Sequence, residues 1–592
     1  MSRRLDEKRL FTRRAFMFAT IKTVLGLSVI SRLAYLQIFK SKQYRLLSDK
    51  NRIVATQILP SRGNILDTNE KIIATNKSSY SVILDLSESS DDVVNRLTQY
   101  VNLEEDVIEQ INSKASKSVL LQENTNWENL SAFRIASSLI PGINIEKSLQ
   151  RHYNDSLIFS HIIGYTGSPT KEDIEHFENL SLRLPTAKIG KCGIEKNYDK
   201  ELFGRSGIKH TEVNSKRQFV RVIDEVKSVP GEDIHLTIDK DLQEFVYNRL
   251  STEQSSACVV MDVNSGAVLA CVSYPGYDSN IFNQKIDRNI LKELYENPYK
   301  PMINKAISGL YAPGSAFKMV VGLTGLHNGV INKHTKFDCD GIFEIGAYRY
   351  HCWRWKYGGH GSLDLQKAIE RSCDIYFYNV AMRLSPDNIA EVANDFGLGI
   401  PTGIDIPGEK DGLIPTKAWK RTQKKQKWTK GDTVNMSIGQ GYTLATPLQM
   451  TRMISILVNG LYPITPYICK LQNNYGVEKL KYKKEHIDIL LSGMNDVVNS
   501  PNGTAYRSHS EELEFGGKTG SSQVRRITEQ QRKEYKTTSD EYLEKEHAVF
   551  VGYAPVDEPR VAVCVLVEHG GGGAKIAAPI ARDILLKISE AV

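Results

Sequence analysis

Ser315 and Lys318 form the first pattern in this 592-residue chain that could do chemistry. Three residues make nearly one helical turn, so both side chains lie on one face of a predicted helix that runs to Leu326. A serine at a helix N-terminus lies near unpaired first-turn N–H groups, and a partly desolvated lysine can take its proton. Alone, the pattern is that of an ordinary helix cap, and Ser168 with Lys171 repeats it at an expected exposed helix start.

Two later motifs supply the partners that acyl transfer needs. Ser372 and Asp374 follow a predicted helix over residues 364–371. Lys518 and Thr519 lie in a glycine-rich predicted strand, and they offer a cation and a hydroxyl to a substrate carboxylate. The ordered set S-x-x-K, S-x-D and K-T-G is far more specific for a serine acyl-transfer enzyme than any one motif alone.

We predict that these motifs belong to one domain over residues 231–592. Its first helix begins after the cap residue Asp239, and a hairpin turn at residues 264–266 joins two apolar strands. A long helical region separates these strands from the last ones, which predicts a central antiparallel sheet covered by helices. The predicted strands lie within residues 234–238, 256–273, 549–555 and 560–568.

The residues before that domain divide into two further parts. Residues 46–230 alternate short strands, such as residues 80–85, with helical stretches near 88–150, which predicts an elongated non-catalytic α+β module. Residues 1–45 contain 11 Lys/Arg and 2 Asp/Glu, a net charge of +9, whereas the other 547 residues carry 65 and 67, a net charge of −2. Because the basic excess lies at one end, we expect no nucleic-acid-binding face. The predicted class is mixed α+β and α/β.

The basic end predicts a single membrane anchor. An apolar stretch from Ala15 to about Phe39 is long enough to cross a bilayer as a helix, and six basic residues precede it. Such a flank stays on the cytoplasmic side, so the body of the chain is expected to be exported. The alternatives are a cleaved signal peptide, for which no small-x-small cleavage site follows the apolar core, and a buried soluble helix.

With these motifs placed, nearly the whole chain resembles the class B penicillin-binding proteins, which are membrane-anchored peptidoglycan D,D-transpeptidases. The resemblance implies a single-pass protein of the bacterial cytoplasmic membrane with its catalytic domain on the periplasmic side. It also implies penicillin binding, transpeptidase or carboxypeptidase chemistry of the hydrolase type, and no cofactor for that chemistry. The matching segments are SRGNILD at 61–67, GKCGIE at 190–195, GSAFK at 314–318, SIGQG at 437–441 and GGKTG at 516–520.

The resemblance assigns catalytic roles to the first two motifs. Ser315 attacks the penultimate D-Ala carbonyl of a donor stem peptide, and Lys318 takes the serine proton. Ser372 passes a proton to the leaving amine. An amine of a neighbouring stem peptide then resolves the acyl-enzyme and forms the cross-link.

The resemblance places the substrate at the third motif. Lys518 and Thr519 hold the terminal carboxylate, and Gly520 lies beside them. The backbone N–H groups of Ser315 and Ser521 form the oxyanion hole, whose loss typically costs about 10²–10³ in rate. β-Lactams imitate the D-Ala-D-Ala end and trap Ser315.

Asp374 favours the elongation type within this family, which cross-links the lateral wall and maintains cell shape, because class B proteins usually have Asn at this position. An ionised carboxylate accepts hydrogen bonds but donates none, so Asp374 is expected to orient Lys318 or Ser372. The closest alternative is a division-type transpeptidase, followed by a membrane-bound β-lactam sensor, a β-lactamase and a dead scaffold. The implied partners are stem peptides, lipid-linked precursor polymer, a polytopic glycosyltransferase and rod-complex scaffold proteins.

A group of cysteines lies close to the second motif. Cys339, Asp340, Cys352, His360 and Cys373 fall within 35 residues, and thiolate, imidazole and carboxylate groups build tetrahedral zinc sites. Some elongation-type relatives carry zinc in this loop, which implies Asp340, Cys352, His360 and Cys373 as ligands, with Cys339 as a substitute for Asp340. The metal would hold the loop beside the active site. A Cys339–Cys352 disulfide, which export permits, is the alternative.

Overall fold

The computed structural model describes residues 2–42, 52–86, 89–90, 92–114, 117–123, 127–176, 184–214, 219–283, 286–470, 477–523 and 542–590. It begins with a long helix, Ser2–Ala34, which continues as a π-helical turn over Tyr35–Phe39. The stretch Thr12–Phe39 is long and apolar enough to cross a membrane, and none of its most apolar part is buried against the protein. The predicted boundary between residues 45 and 46 lies outside the described residues.

The body of the chain contains strands grouped into several sheets. The strands are β1 Ile53–Ile58, β2 Ile65–Leu66, β3 Ile72–Asp85, β4 Ser118–Gln122, β5 Ile143–Tyr153, β6 Thr166–Gly167, β7 Ile189–Gly190, β8 Gly207–Val213, β9 Phe219–Val226, β10 Ile234–His235, β11 Ser256–Asp262, β12 Val268–Tyr274, β13 Phe337–Cys339, β14 Ile342–Ile345, β15 Tyr348–His351, β16 Gly361–Leu363, β17 Gly516–Ser522, β18 His547–Ala554 and β19 Val561–Val567. After the membrane-type helix, the α-helices are Val93–Leu97, Glu105–Ser113, Trp127–Leu139, Ser156–Ile163, Lys171–His176, Gly193–Asn197, Asp199–Phe203, Lys240–Leu250, Arg288–Glu296, Lys305–Ser308, Lys318–His327, Leu365–Glu370, Asp374–Ala381, Pro386–Asp395, Lys417–Gln423, Lys430–Ser437, Pro447–Val458, Lys484–Asn499 and Ala577–Ser589.

The largest core surrounds a five-stranded antiparallel sheet in the order β12-β11-β19-β18-β17. Its central strand β19, VAVCVLV, is buried at every position, which is the pattern of a strand covered on both faces. Helices Lys240–Leu250, Pro447–Val458 and Ala577–Ser589 pack against this sheet. Strand β17, which carries the K-T-G residues, lies at one edge of this sheet, and it contacts the turn that carries Ser315.

The first half of the body forms two smaller sheets. One is β10-β2-β3-β4 with β5 also paired to β3, and the other is β1-β8-β9. A buried ion cluster joins segments that are distant in sequence: Arg151 Nε and Arg62 Nε each donate to the carboxylate of Glu195 at 2.6 Å. A hydrophobic cluster that includes Ile65, Phe159 and Val259 connects this half to the five-stranded sheet.

Most of the predicted elements are found, with shifted ends. The Asp239 carboxylate accepts a hydrogen bond from Leu242 N at 2.9 Å and caps the helix, as predicted, and β11 and β12 form the predicted hairpin. The predicted strand at 234–238 shortens to β10, which pairs in parallel with β2. The predicted boundary at 230/231 therefore lies just before a strand of the first half's sheet, and it stays a prediction. The predicted fold class is confirmed.

Candidate active site

Ser315 lies in a tight turn against the edge strand. The turn is a 3₁₀ helix, Gly314–Phe317, and the α-helix begins only at Lys318. Gly314 has φ +56°, and a Cβ atom there would come within 2.9 Å of the Ser521 carbonyl oxygen. Its N–H donates to the Gly439 carbonyl at 3.1 Å. Glycine is therefore required at 314 both for its conformation and for this close approach, which brings the backbones of Ser315 and Ser521 together.

Lys318 is fully buried and makes polar contacts with the second motif. Its Nζ donates to the Ser372 carbonyl at 2.9 Å, to Ser372 Oγ at 3.2 Å and to Asp374 Oδ1 at 2.8 Å. Burial raises the pKa of Asp374, and attraction to Lys318 opposes that rise. The expected contact of Asp374 with Lys318 is thus present.

The left-handed backbone conformation of Ser372 turns the second motif toward the cavity. Helix Leu365–Glu370 ends in Arg371 and then Ser372, whose φ is +51°, a backbone region that costs free energy for residues other than glycine. The next helix starts at Asp374, so a carboxylate lies at its positive N-terminal end. This reversal lets Ser372 Oγ and the Asp374 carboxylate both contact Lys318.

Lys518 reaches the same serine from the edge strand. It is fully buried on β17, and its Nζ donates to Ser372 Oγ at 2.9 Å and to the Thr519 carbonyl at 3.0 Å. Burial lowers the pKa of Lys518 well below its usual value, and repulsion from Lys318 lowers it further. One hydroxyl, that of Ser372, therefore bridges the lysines of the first and third motifs.

Two residues without a predicted role contact the third motif. Thr504 Oγ1 lies 2.8 Å from Thr519 Oγ1, and Gln440 Nε2 donates to the Ser521 carbonyl at 2.9 Å. Gln440 belongs to the SIGQG segment of the resemblance, so that segment could have indicated it. Nothing in the local sequence around Thr504 indicates such a contact.

The three motifs line one cavity of about 740 Å³. Its walls include Ser315, Ser372, Asp374, Thr519, Gly520 and Ser521. The competing pattern is elsewhere: Ser168 and Lys171 are exposed, and helix Lys171–His176 starts at that lysine, as expected. The geometry therefore selects Ser315 as the serine that a substrate in this cavity would meet.

The cysteine group lies directly behind the second motif, and it corrects one predicted ligand. Ligand atoms of Cys339, Cys352, His360 and Cys373 lie within 4.8 Å of one another. The predicted ligand Asp340 is not part of the group, because its exposed side chain accepts a hydrogen bond from Ile342 N at 3.0 Å. Cys339 ends strand β13 and Asp340 follows it, and adjacent side chains there point in different directions. The Cys339 side chain therefore occupies the ligand position that was predicted for Asp340.

All eight cysteines are free thiols in the structure, including Cys339 and Cys352, which were the alternative disulfide pair. His360 Nδ1 lies 3.6 Å from Cys339 Sγ and 3.4 Å from Cys352 Sγ. Hydrogen bonds from Cys352 and Cys373 lower the pKa of the Cys339 thiol to about 3. Three sulfurs and one imidazole nitrogen in this arrangement form a donor set that suits zinc.

A tryptophan connects the cysteine group to the catalytic motif. Trp353 follows Cys352, and its N–H donates to Asp374 Oδ2 at 3.1 Å. Its indole Nε1 donates to the Arg371 carbonyl at 3.1 Å. Since Cys373 lies between Ser372 and Asp374, the cysteine group holds the second motif from two sides.

Comparison with known families agrees with this geometry. Residues 256–586 match the penicillin binding protein transpeptidase domain. The chain belongs to the penicillin-binding protein transpeptidase family. Residues 57–236 match the penicillin-binding protein dimerisation domain, so the two matches together cover most of this penicillin-binding protein.

Relatives along the whole chain identify its branch of the family. Peptidoglycan D,D-transpeptidase MrdA of Acinetobacter baumannii is 31% identical, over 97% of this chain and 88% of its own. The MrdA proteins of Haemophilus influenzae and Escherichia coli K12 are each 32% identical, over 98% of this chain and over 92% and 94% of their own lengths. The prediction of the elongation type, penicillin-binding protein 2, is confirmed.

Solved structures show the same fold. The complex of penicillin-binding protein 2 with MreC from Helicobacter pylori superposes with a TM-score of 0.81 and 28% identity, over 91% of this chain and 99% of that one. Pseudomonas aeruginosa penicillin-binding protein 2 in complex with WCK 5153 gives a TM-score of 0.68 and 30% identity, over 90% of this chain and 96% of that one.

Proposed function

We propose that this penicillin-binding protein is a peptidoglycan D,D-transpeptidase that cross-links stem peptides during lateral wall elongation. The observation that carries the proposal is the Ser372 hydroxyl, which lies 3.2 Å from Lys318 Nζ and 2.9 Å from Lys518 Nζ in the cavity that Ser315 lines. This geometry connects a base, a proton carrier and a carboxylate anchor in one polar network.

In the proposed reaction, Ser315 Oγ attacks the penultimate D-Ala carbonyl and Lys318, in its neutral form, accepts the hydroxyl proton. The tetrahedral oxyanion is held by the N–H groups of Ser315 and Ser521, whose backbones are adjacent. When the C–N bond breaks, the proton returns from Lys318 through Ser372 Oγ to the leaving amine. Lys518 and Thr519 hold the terminal carboxylate, which is a charge-assisted contact.

The acyl-enzyme then has two outcomes. An acceptor amine attacks the ester carbonyl, loses a proton to Lys318 and forms the cross-link while Ser315 is released. Water in place of that amine gives the carboxypeptidase, or hydrolase, reaction. β-Lactams form the same ester with Ser315, but the amine stays tethered in the opened ring.

We also propose where the protein works and with which partners. The apolar stretch Thr12–Phe39 anchors it in the cytoplasmic membrane, and the remaining chain faces the periplasm. In this proposal, residues 1–45 form the tail and anchor, residues 46–230 form the docking module and residues 231–592 form the transpeptidase domain. A solved complex pairs penicillin-binding protein 2 with MreC, which supports a scaffold partner for this chain; the glycosyltransferase partner and lipid-linked precursor polymer follow from the elongation role.

We propose that the cysteine group holds a structural Zn²⁺. Cys339, Cys352, Cys373 and His360 would ligate it, because their ligand atoms converge within 4.8 Å of one another. His360 Nδ1 is the imidazole atom placed to bind the metal, because it lies 3.4 Å from Cys352 Sγ and 3.6 Å from Cys339 Sγ. The ion would fix the segment that carries Trp353 and Cys373 and takes no part in the reaction.

The proposal is tested by covalent labelling with fluorescent penicillin. The wild type should label, and Ser315→Ala should abolish the signal. Ser168→Ala is the matched control, because it changes the serine of the repeated pattern outside the cavity, and it should label like wild type. Labelling that survives in Ser315→Ala would contradict the assignment.

A depletion experiment tests the elongation role. Cells depleted of the protein should become round, since lateral growth stops while septation continues. Filamentous cells would instead favour the division-type transpeptidase.

A further inference from the structure

One wall of the active-site cavity carries positive charge that the proposed chemistry leaves unused. Among the residues that the structure describes, two carboxylates line the cavity, Asp374 and Glu546, and Asp374 is already bonded to Lys318 and to the Trp353 N–H. Three cationic side chains line the same cavity, outside the three motifs: Arg354, Lys356 and Arg371. The described lining of the cavity therefore has more cationic than anionic side chains.

The two guanidinium groups have unused hydrogen-bonding capacity. Arg354 is exposed, and its guanidinium group forms no hydrogen bond or ion pair with any of the residues that the structure describes. The Nε atom of Arg371 is buried and lacks a hydrogen-bond partner among those residues. Its ion pair with Glu370 Oε2 spans 3.8 Å, which is too long for a hydrogen bond. A buried donor without a partner is costly, so an incoming acceptor would be favoured there.

The backbone around both arginines is already fixed. Trp353, which precedes Arg354, donates its indole N–H to the Arg371 carbonyl at 3.1 Å. Its backbone N–H donates to Asp374 Oδ2 at 3.1 Å, and the Arg354 carbonyl accepts from Tyr357 N at 2.9 Å. A ligand bound here would thus need to order side chains only, which reduces the entropy lost on binding.

We propose that Arg354 and Arg371 form a second carboxylate subsite, which binds a non-terminal carboxylate of a peptidoglycan stem peptide. The inference rests on the proposed function, in which Lys518 and Thr519 hold the terminal carboxylate. Stem peptides carry side-chain carboxylates upstream of D-Ala-D-Ala, and a planar guanidinium matches a carboxylate through two parallel hydrogen bonds. Donor and acceptor strands both carry this group, so the experiment has one arm for each.

The donor arm compares two synthetic D-Ala-D-Ala pentapeptides, one with free upstream carboxylates and one with the same groups amidated. The full-length wild-type protein should turn over the acidic donor with a kcat/KM about tenfold higher, in line with one charge-assisted contact. Arg354→Gln and Arg371→Gln should each bring the ratio of the two kcat/KM values close to 1.

Arg349→Gln is the matched control variant. Arg349 lies in β15, shortly before Arg354 in the chain, but it pairs with Glu344 at 2.8 Å and does not line the cavity. The ratio of the two donors should stay at its wild-type value in this variant. An equal fall in Arg349→Gln would show a general charge effect and would overturn the subsite.

The acceptor arm keeps the amidated donor and varies the acceptor amine, again with its carboxylate free or amidated. A preference that disappears in Arg354→Gln in this arm would support the subsite and assign it to the acceptor strand. Wild-type protein that shows no preference in either arm, while it labels with fluorescent penicillin and turns over both donors, would overturn the subsite alone. Absence of both labelling and turnover would overturn the transpeptidase proposal as well.

Discussion

Lys318 Nζ lies 2.8 Å from Asp374 Oδ1, so the buried lysine of the first motif is paired with the carboxylate of the second. The other carboxylate oxygen, Oδ2, accepts the Trp353 N–H at 3.1 Å. Asp374 therefore has both oxygens engaged on the protein side of the cavity. We propose that Asp374 is a positioning residue for Lys318, since a carboxylate that donates no hydrogen bond can still accept one from this lysine.

We expect Asp374→Ala to slow acylation of Ser315 by fluorescent penicillin about 10–100-fold, because a hydrogen bond to a charged group contributes about 1.5–3 kcal/mol. Asp374→Asn should lose less, since its amide oxygen can still accept from Lys318. Second-order rates of labelling measure both effects. Equal rates in wild type and Asp374→Ala would show that Lys318 needs no such partner.

The lowered pKa of Lys518 predicts that substrate binding weakens at a lower pH than it would with an ordinary lysine. Burial, with repulsion from Lys318, moves this pKa well below the ordinary value of 10.5. Only the protonated amine attracts the terminal carboxylate, so kcat/KM should fall as pH rises through the lowered pKa. The control is a donor peptide methylated at its terminal carboxylate, for which this fall in kcat/KM at high pH should disappear. The same fall with both donors would contradict the role of Lys518 as the carboxylate anchor.

The three motifs could be predicted from the sequence because each is recognisable from its local residues alone. They are a serine one helical turn before a lysine, a serine that follows a helix, and a lysine in a glycine-rich strand. The acceptor capacity of a carboxylate also led to the expectation that Asp374 orients Lys318 or Ser372, and the contact with Lys318 is present. The sequence could not place Thr504 beside Thr519 or Arg354 at the cavity, because the residues around each site come from segments far apart in the chain.

The error at Asp340 has a local cause. Composition alone allowed either Cys339 or Asp340 as a ligand, and only the direction of each side chain distinguishes them. The short strand β13 pairs with β16, which brings the Cys339 backbone next to His360: the His360 N–H donates to the Cys339 carbonyl at 2.9 Å. That pairing is a long-range contact, which local patterning does not encode.

This correction gives a metal-binding prediction with a built-in control. The purified wild type should contain about one zinc per chain, and Cys339→Ser should lose most of it, because a thiolate ligand is removed. Asp340→Asn should keep the metal, since its side chain lies outside the cluster. Elemental analysis of the three proteins measures this. A wild type without zinc, or equal loss in Asp340→Asn, would reject the assigned ligands.

The buried cluster in the first half of the body predicts a large effect on stability. Burial disfavours the Glu195 carboxylate, but Arg151 and Arg62 outweigh it, so its pKa falls below the ordinary value of 4.5. Glu195→Gln leaves the buried Arg151 without its counter-charge, whereas Arg62 keeps its ion pair with Asp199 at 2.7 Å, and the change should cost about 3–5 kcal/mol. Asp488→Asn is the control, because its pair with Lys484 is exposed and should contribute little.

The same cluster fixes the sign of the pH dependence. A carboxylate whose folded pKa is depressed stabilises the fold above its unfolded pKa, and this stabilisation is lost as pH falls through the folded pKa. The thermal midpoint of wild type should therefore exceed that of Glu195→Gln at pH 7, and the gap should close as the pH is lowered below about 4.5, the ordinary glutamate value. A gap of constant size across that range would mean that Glu195 stabilises the module through packing and not through its charge.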